Sequence, residues 1–243
     1  MDRHLTAPAV TRAVLVAAAA TSCLAAWAVF AGTTLLMPHR HEPSAPAFLA
    51  ATTMWLTMVV AMMMPTVLPW ITAYAELVTP PGNGPSWRAI GAFTAGYLVV
   101  WALYALAAAA LQMALMRIGL LAGDRIGPAL GGVVLLAAGA FQFAPLKGAC
   151  LAHCRNPLSY FLARWHNGPI GGLRLGLSHG AYCLGCCWLV MLTALAMGVM
   201  NLTWMAVLTA VVALEQLAPA GVRLGRGFGV ALLTWGAWLL AAA

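Results

Sequence analysis

Charge is what this chain lacks. Aspartate, glutamate, lysine and arginine make up 7% of its 243 residues, and 63% are hydrophobic; a soluble domain carries about a quarter charged residues. Mean hydropathy is +0.92. Such a chain cannot cover a water-facing surface of its own size, which excludes a soluble globular domain and predicts a polytopic membrane protein. No polar run is long enough for a second domain, and no P-loop pattern is present to hold nucleotide chemistry. The net charge of +7 does not point to nucleic acid, because the cations lie between apolar runs, where they orient membrane proteins. Nothing in the sequence requires an enzyme; a metal-binding or transport protein is expected.

At about 20 apolar residues per crossing, the runs predict an all-α bundle of six or seven spans. They fall roughly at 13–36, 47–70, 90–116, 128–146, 177–200, 203–219 and 227–243, and residues 147–176 are read as a cytoplasmic loop with an interfacial helix. The first run is too long for a signal-peptide core. With the N-terminus inside, nine basic residues fall on the inner side and three on the outer, so the N-terminus is predicted cytoplasmic. A six-span arrangement changes only the C-terminal end.

What is present is concentrated. Five of six cysteines and three of six histidines fall within residues 145–188. One group is Cys150-x-x-His153-Cys154; the other is His179-x-x-x-Cys183-x-x-Cys186-Cys187. Both repeat at three and four residues, one face of a helix. A cytoplasmic setting keeps thiols reduced, so Cys beside His reads as metal chemistry rather than a disulfide framework. Lys147 and Arg155 are expected to favour thiolate in the nearby cysteines. His166, between the groups, reads as interfacial rather than as a ligand.

The second span adds Met54, Met58, Met62, Met63 and Met64, then Pro65 and Pro69. Methionine fills cores as readily as it binds metal, but Pro65 frees a carbonyl and predicts a kink beside Met62, Met63 and Met64. Cys23 reads as a buried small apolar residue. Met37, His39, His41 and Glu42 form a weaker patch, read as a solvated loop. Glu76 reads as interfacial. Glu215, inside a span, is either functional or snorkels to the surface. Gly119, Gly123, Gly127 and Gly131 resemble a small-residue contact surface, although Asp124, Arg125 and Pro128 make a loop the better reading.

A tetrahedral site uses four donors, and seven Cys and His donors are available, enough for one site with spares or for two ions. Thiolate with thioether selects Cu(I); thiolate with imidazole suits zinc as well. The methionines favour copper. Two other readings stand beside this one: a membrane thiol-disulfide redox protein using Cys183-x-x-Cys186 and Cys150/Cys154, and small cysteines that only pack helices.

The blocks AMMMP, PLKGACLAHCRNPLSYF, HGAYCLGCCWLVM and GVMNLTWM resemble a bacterial family of predicted metal-binding integral membrane proteins, a domain of unknown function, over about residues 50–220. The resemblance implies a multi-span helical fold in the bacterial inner membrane, and metal binding without an assigned reaction. Carried over by position, its motif residues are Met62, Met63, Met64, Pro65, Lys147, Cys150, His153, Cys154, His179, Cys183, Cys186, Cys187, Met200 and Asn201. The family often places Lys after an acid near the end of the sixth span; here Gln216 follows Glu215. The expected partners are the metal ion, the lipid bilayer and a small metal-carrying protein, for transport or delivery.

Overall fold

The computed structural model describes residues 6–36, 44–79 and 84–243. The described residues are almost entirely helical. Three long helices come first: α1 (Thr6–Leu36), α2 (Ala45–Val78) and α3 (Trp87–Arg117). A two-residue antiparallel ladder, β1 (Leu121–Ala122) and β2 (Arg125–Ile126), closes the following loop. Then come α4 (Pro128–Phe141), α5 (Pro145–Cys154), α6 (Pro157–Arg164), α7 (Gly168–Leu192), the one-turn α8 (Ala194–Met197), α9 (Leu202–Leu217) and α10 (Gly221–Ala241).

Local chemistry sets these boundaries. Proline occupies the first or second position of α2, α4, α5, α6 and α7, where its missing amide costs nothing. Ser44 caps α2 by accepting from the Ala47 amide at 3.3 Å, and Asn201 caps α9 by accepting from Trp204 at 3.0 Å. The Gly119–Gly131 spacing belongs mostly to the hairpin loop, with positive φ at Gly119 and Gly123; only Gly131 packs on another helix, against Ala196.

Among the described residues, five helices are long and apolar enough to cross a membrane: Ala9–Gly32, Ala45–Val78, Trp87–Arg117, Gly168–Met197 and Gly221–Ala241. The pair α4–α5 makes a sixth if counted as one pass, but it bends by 64°. The break falls at Pro145, which cannot donate back to Phe141 and so ends α4 short of the expected 128–146 run. At 16 residues, α9 reaches about 24 Å, less than the ~30 Å of a hydrocarbon core. In contrast α7 begins at Gly168, nine residues before the expected start.

Glycine decides how the helices meet. A Cβ on Gly172 would sit 2.7 Å from the Ala89 carbonyl, and one on Gly176 would overlap the Phe93 carbonyl. Gly180 lies against Tyr97 and Val100, and Gly96 against Leu173 and Leu177. Contacts that climb together along both chains make α3 and α7 parallel, so the segment between them returns through α4 and α5. A second seam joins α4 to α10, with Gly132 on Gly236 and Gly139 on Gly229, in antiparallel sense. These are small-residue contacts of the membrane type, on different glycines from the 119–131 series.

The α3–α7 seam yields a direct test. Gly176→Ala is expected to destabilise the protein by about 1–3 kcal/mol, the cost of overpacking, because main chain cannot move aside as a side chain can. Gly91→Ala, with nothing within 4 Å of its added Cβ, is expected to leave thermal unfolding in detergent unchanged or slightly raised. Equal effects of the two variants would count against the seam.

Candidate metal centre

Both cysteine groups lie on helices, and the bend at Pro145 brings the helices together. α5 runs back along α7, so that Cys150 Sγ rests on Gly185, 2.9 Å from where a Cβ would stand. One turn further on, the Cys154 thiol comes within hydrogen-bonding reach of Cys183 and Cys186. Cys183 and Cys187 are 0% exposed, Cys186 1% and Cys154 3%. Cys150 is half-buried and interacts electrostatically with Cys186. Four thiols are thus closed from solvent, and a fifth lies between them and the surface.

Cys183 is the hub. Its sulfur lies 3.5 Å from the Tyr97 hydroxyl and accepts from Gln216 Nε2 at 3.5 Å; the same amide nitrogen is 3.9 Å from Cys186 Sγ. Its carbonyl accepts from Cys186 Sγ at 3.1 Å and from Cys187 Sγ at 2.9 Å. These helical bonds hold two thiols turned toward main chain. Consistently, no three His, Cys, Asp or Glu side chains among the described residues are arranged to hold a metal ion as they stand. The thiols are adjacent, but those of Cys186 and Cys187 are engaged with the Cys183 carbonyl as they stand.

His179, one turn before Cys183, is 1% exposed and interacts electrostatically with it. Its ring stacks on Trp70 at 3.7 Å between centroids, with Tyr97 on a neighbouring face at 5.4 Å. Trp70 also donates to the Cys154 carbonyl at 3.1 Å. His153 is placed differently. It is half-buried, its Nδ1 sits 2.9 Å from the Ala149 carbonyl, and its ring stacks on Tyr182 at 4.3 Å. It borders the cluster beside Cys150 rather than joining the four buried thiols.

Met62 and Met63 are buried and Met64 is half-buried. Thr66 donates to the Met63 carbonyl at 2.9 Å, lies 4.0 Å from its sulfur, and also contacts Tyr97. Met63 is thus linked to Cys183 through the Thr66 and Tyr97 hydroxyls. α2 runs as one helix through Pro65 and Pro69. The Ala61 carbonyl that Pro65 leaves without its helical donor accepts from Cys23 Sγ at 3.3 Å. Cys23 is only partly buried, so its role is that of a donor and not only of a small apolar filler.

The cations do not face the thiols. Lys147 Nζ binds Glu215 Oε2 at 2.7 Å, with the two residues 3% and 2% exposed. Arg155 donates to the main-chain carbonyls of Glu215, Ala218 and Pro219 at 2.6, 2.8 and 3.2 Å. The expectation that both would favour thiolate is thereby corrected: a buried carboxylate and the open C-terminal carbonyls of α9 have taken them. Glu215 does not snorkel, and its lysine partner comes from α5, not from the following residue. Glu76 and His166 are exposed. Met37, His39, His41 and Glu42 lie outside the described residues. Sequence reasoning passed over Tyr97, Trp70 and Gln216 as cluster neighbours; a polar Gln beside Glu215 in an apolar helix was the available signal for the last.

Fold and site together define an all-α protein of membrane-length apolar helices enclosing a buried thiol cluster. A family model described as copper chaperone, PpoB2, matches residues 52–239, and the chain belongs to this family. The match takes in both cysteine groups and Met62, Met63 and Met64. No curated protein and no solved structure matches the chain.

Exposure predicts an order of reactivity. In the reduced, metal-free protein a water-soluble maleimide is expected to modify Cys150 first among the five cluster thiols, and Cys154, Cys183, Cys186 and Cys187 only after denaturation, as read by intact mass and peptide mapping. Early modification of Cys183 would mean that the cluster is open.

Proposed function

We propose that this protein holds copper as Cu(I) on the thiolates of Cys154, Cys183, Cys186 and Cys187 and passes it to a small metal-carrying partner by thiol exchange. The observation that carries this is the meeting of four closed-off cysteine thiols from α5 and α7. Soft sulfur selects Cu(I) among the available metals, and a monovalent ion held by two of these thiolates at a time, the others staying protonated, leaves a net charge of only about −1 in a low-dielectric interior. Each thiol that binds releases its proton. The Tyr97 hydroxyl and the Gln216 amide supply the hydrogen bonds an anionic sulfur needs away from water.

Cys150 fits a transfer role. It is the thiol nearest the surface and it neighbours Cys186, so copper can move between them by exchange of one thiolate for another, without redox change. His179, packed under Trp70, borders the cluster and is the nearest imidazole. Met63 stands one hydroxyl beyond Tyr97 as a thioether reserve, with Met62 beside it. The bias of basic residues supports a cytoplasmic N-terminus, with the connection between α5 and α7 that carries Arg155 and Arg164 on the same side.

The test is metal analysis of the full-length protein in detergent under reducing conditions, followed by competition with a Cu(I) chelator. Copper is expected to remain bound, with affinity rising with pH as thiol protons are lost. Cys183→Ser and Cys154→Ser are each expected to weaken retention at least about tenfold, or ~1.4 kcal/mol. Cys150→Ser should slow transfer to an acceptor thiol more than it weakens retention. Zinc retained in place of copper would keep the donors and remove the copper reading. Absence of any metal, with cluster thiols that oxidise readily, would establish the redox alternative instead.

A further inference from the structure

A cavity of about 380 Å³, with charged side chains set in a partly apolar wall, lies apart from the thiols, where the α4–α5 elbow meets the α9–α10 turn. Its wall carries Gln142, Lys147, Arg155, Glu215 and Arg226. Three cations thus face one carboxylate. Lys147 alone among them is paired with that carboxylate. The Arg155 guanidinium binds only main-chain carbonyls. Arg226 is exposed and belongs to neither of the ion pairs formed among the described residues.

Two helix starts add to this positive excess. Pro145, Lys147 and Gly148 from the first turn of α5 line the cavity, as do Val222 and Gly225 from the first turns of α10. Neither helix has a side-chain cap; at α5 the Leu146 and Lys147 amides remain available to an anion, whereas at α10 Gly221 and Arg223 already donate to Ala218 and Ala220, leaving the Val222 amide. The cavity also holds polar groups that lack partners. Gln142 is 7% exposed, and neither its amide oxygen nor its amide nitrogen has a hydrogen-bond partner. Glu215 Oε1 is likewise without one. A buried polar group left unpaired is costly, and these are specific in kind: two acceptors and one amide donor beside a net positive wall.

The acceptors decide the ligand class. An inorganic anion satisfies the cations and helix starts but offers Glu215 Oε1 and the Gln142 oxygen no more than its own acidic proton, and it leaves most of the volume empty. We propose that this cavity binds a polyol phosphate: its phosphate lies toward Arg226 and the uncapped starts of α5 and α10, and its hydroxyls donate to Glu215 Oε1 and the Gln142 carbonyl. The same chemistry occurs in a phospholipid headgroup ending in glycerol and in a free glycerol phosphate.

The experiment uses the full-length protein in detergent and three probes: glycerol phosphate, short-chain phosphatidylglycerol and inorganic phosphate, each titrated by thermal shift and by equilibrium binding. Either polyol phosphate is expected to bind at least tenfold more tightly than inorganic phosphate. Binding of the lipid alone assigns the site to a headgroup, and equal binding of free glycerol phosphate assigns it to the soluble ester. Arg226→Gln, at an exposed position, is expected to weaken both polyol probes about tenfold. Gln142→Leu should erase the preference over inorganic phosphate. Arg174→Gln, exposed on α7 away from the cavity, should change nothing. The proposal is overturned if inorganic phosphate binds as well as the esters, if no probe binds, or if Arg226→Gln leaves binding intact. Copper plays no part in the readout, so this site stands or falls apart from the thiol cluster.

Discussion

The close approach of α3 to α7 is the contact on which the rest of the structure depends. Gly172, Gly176 and Gly180 on one helix, with Gly96 on the other, allow main chain to touch main chain. In a membrane setting helices gain little from hiding hydrocarbon from hydrocarbon, so packing at this range carries the association. The seam also sets the register that matters chemically. It brings the Tyr97 hydroxyl to Cys183 Sγ and holds Phe93 near the ring of His179. Bulkier residues at the seam would move α7 away from α3 and separate Cys183 from one of its two side-chain hydrogen-bond partners outside the cysteines.

Pro145 supplies the second constraint. An unbroken fourth helix would carry Cys150 and Cys154 straight on, away from α7. Without an amide at position 145 the helix ends at Phe141, turns by 64° and restarts as α5. Restarting there does two things at once. It lays Cys154 against Cys183 and Cys186, and it delivers Lys147 to Glu215. Loss of either partner of that ion pair would leave a buried charge uncompensated, a penalty of about 3–5 kcal/mol. The elbow, the ion pair and the thiol contact are therefore one structural unit, with Arg155 closing it onto the end of α9.

Around the thiols the walls are aromatic and soft. Trp70, Tyr97, Tyr160 and Phe161 enclose the His179 end, and Met63 approaches through Thr66. Among the described residues, the side chains outside the cysteines that hydrogen-bond the cluster sulfurs are Tyr97 and Gln216, both neutral. A neutral, water-excluding surround with polarizable donors favours a soft monovalent ion over a hard divalent one, in keeping with the copper chaperone family to which the chain belongs.

Much of this was legible in the residues alone. The scarcity of charge pointed to long apolar helices of membrane-crossing length, because only helices satisfy their own main chain in lipid over runs of this length, and the structure has such helices. The three- and four-residue spacing determined that Cys183, Cys186 and Cys187 share a helix face, because helical periodicity is local. That Pro65 frees a carbonyl was legible too, although not that the Cys23 thiol would be the group to meet it. Tertiary structure alone decided the rest. Whether Lys147 served thiols or Glu215, whether His153 faced the cluster or Tyr182, which glycines formed seams, and that Gln216 reaches Cys183 all depend on which helices become neighbours and at what register. Those choices join residues 29 to 104 positions apart, and no periodicity along a single chain encodes them; they are made when main chains close on one another and bring distant side chains within reach.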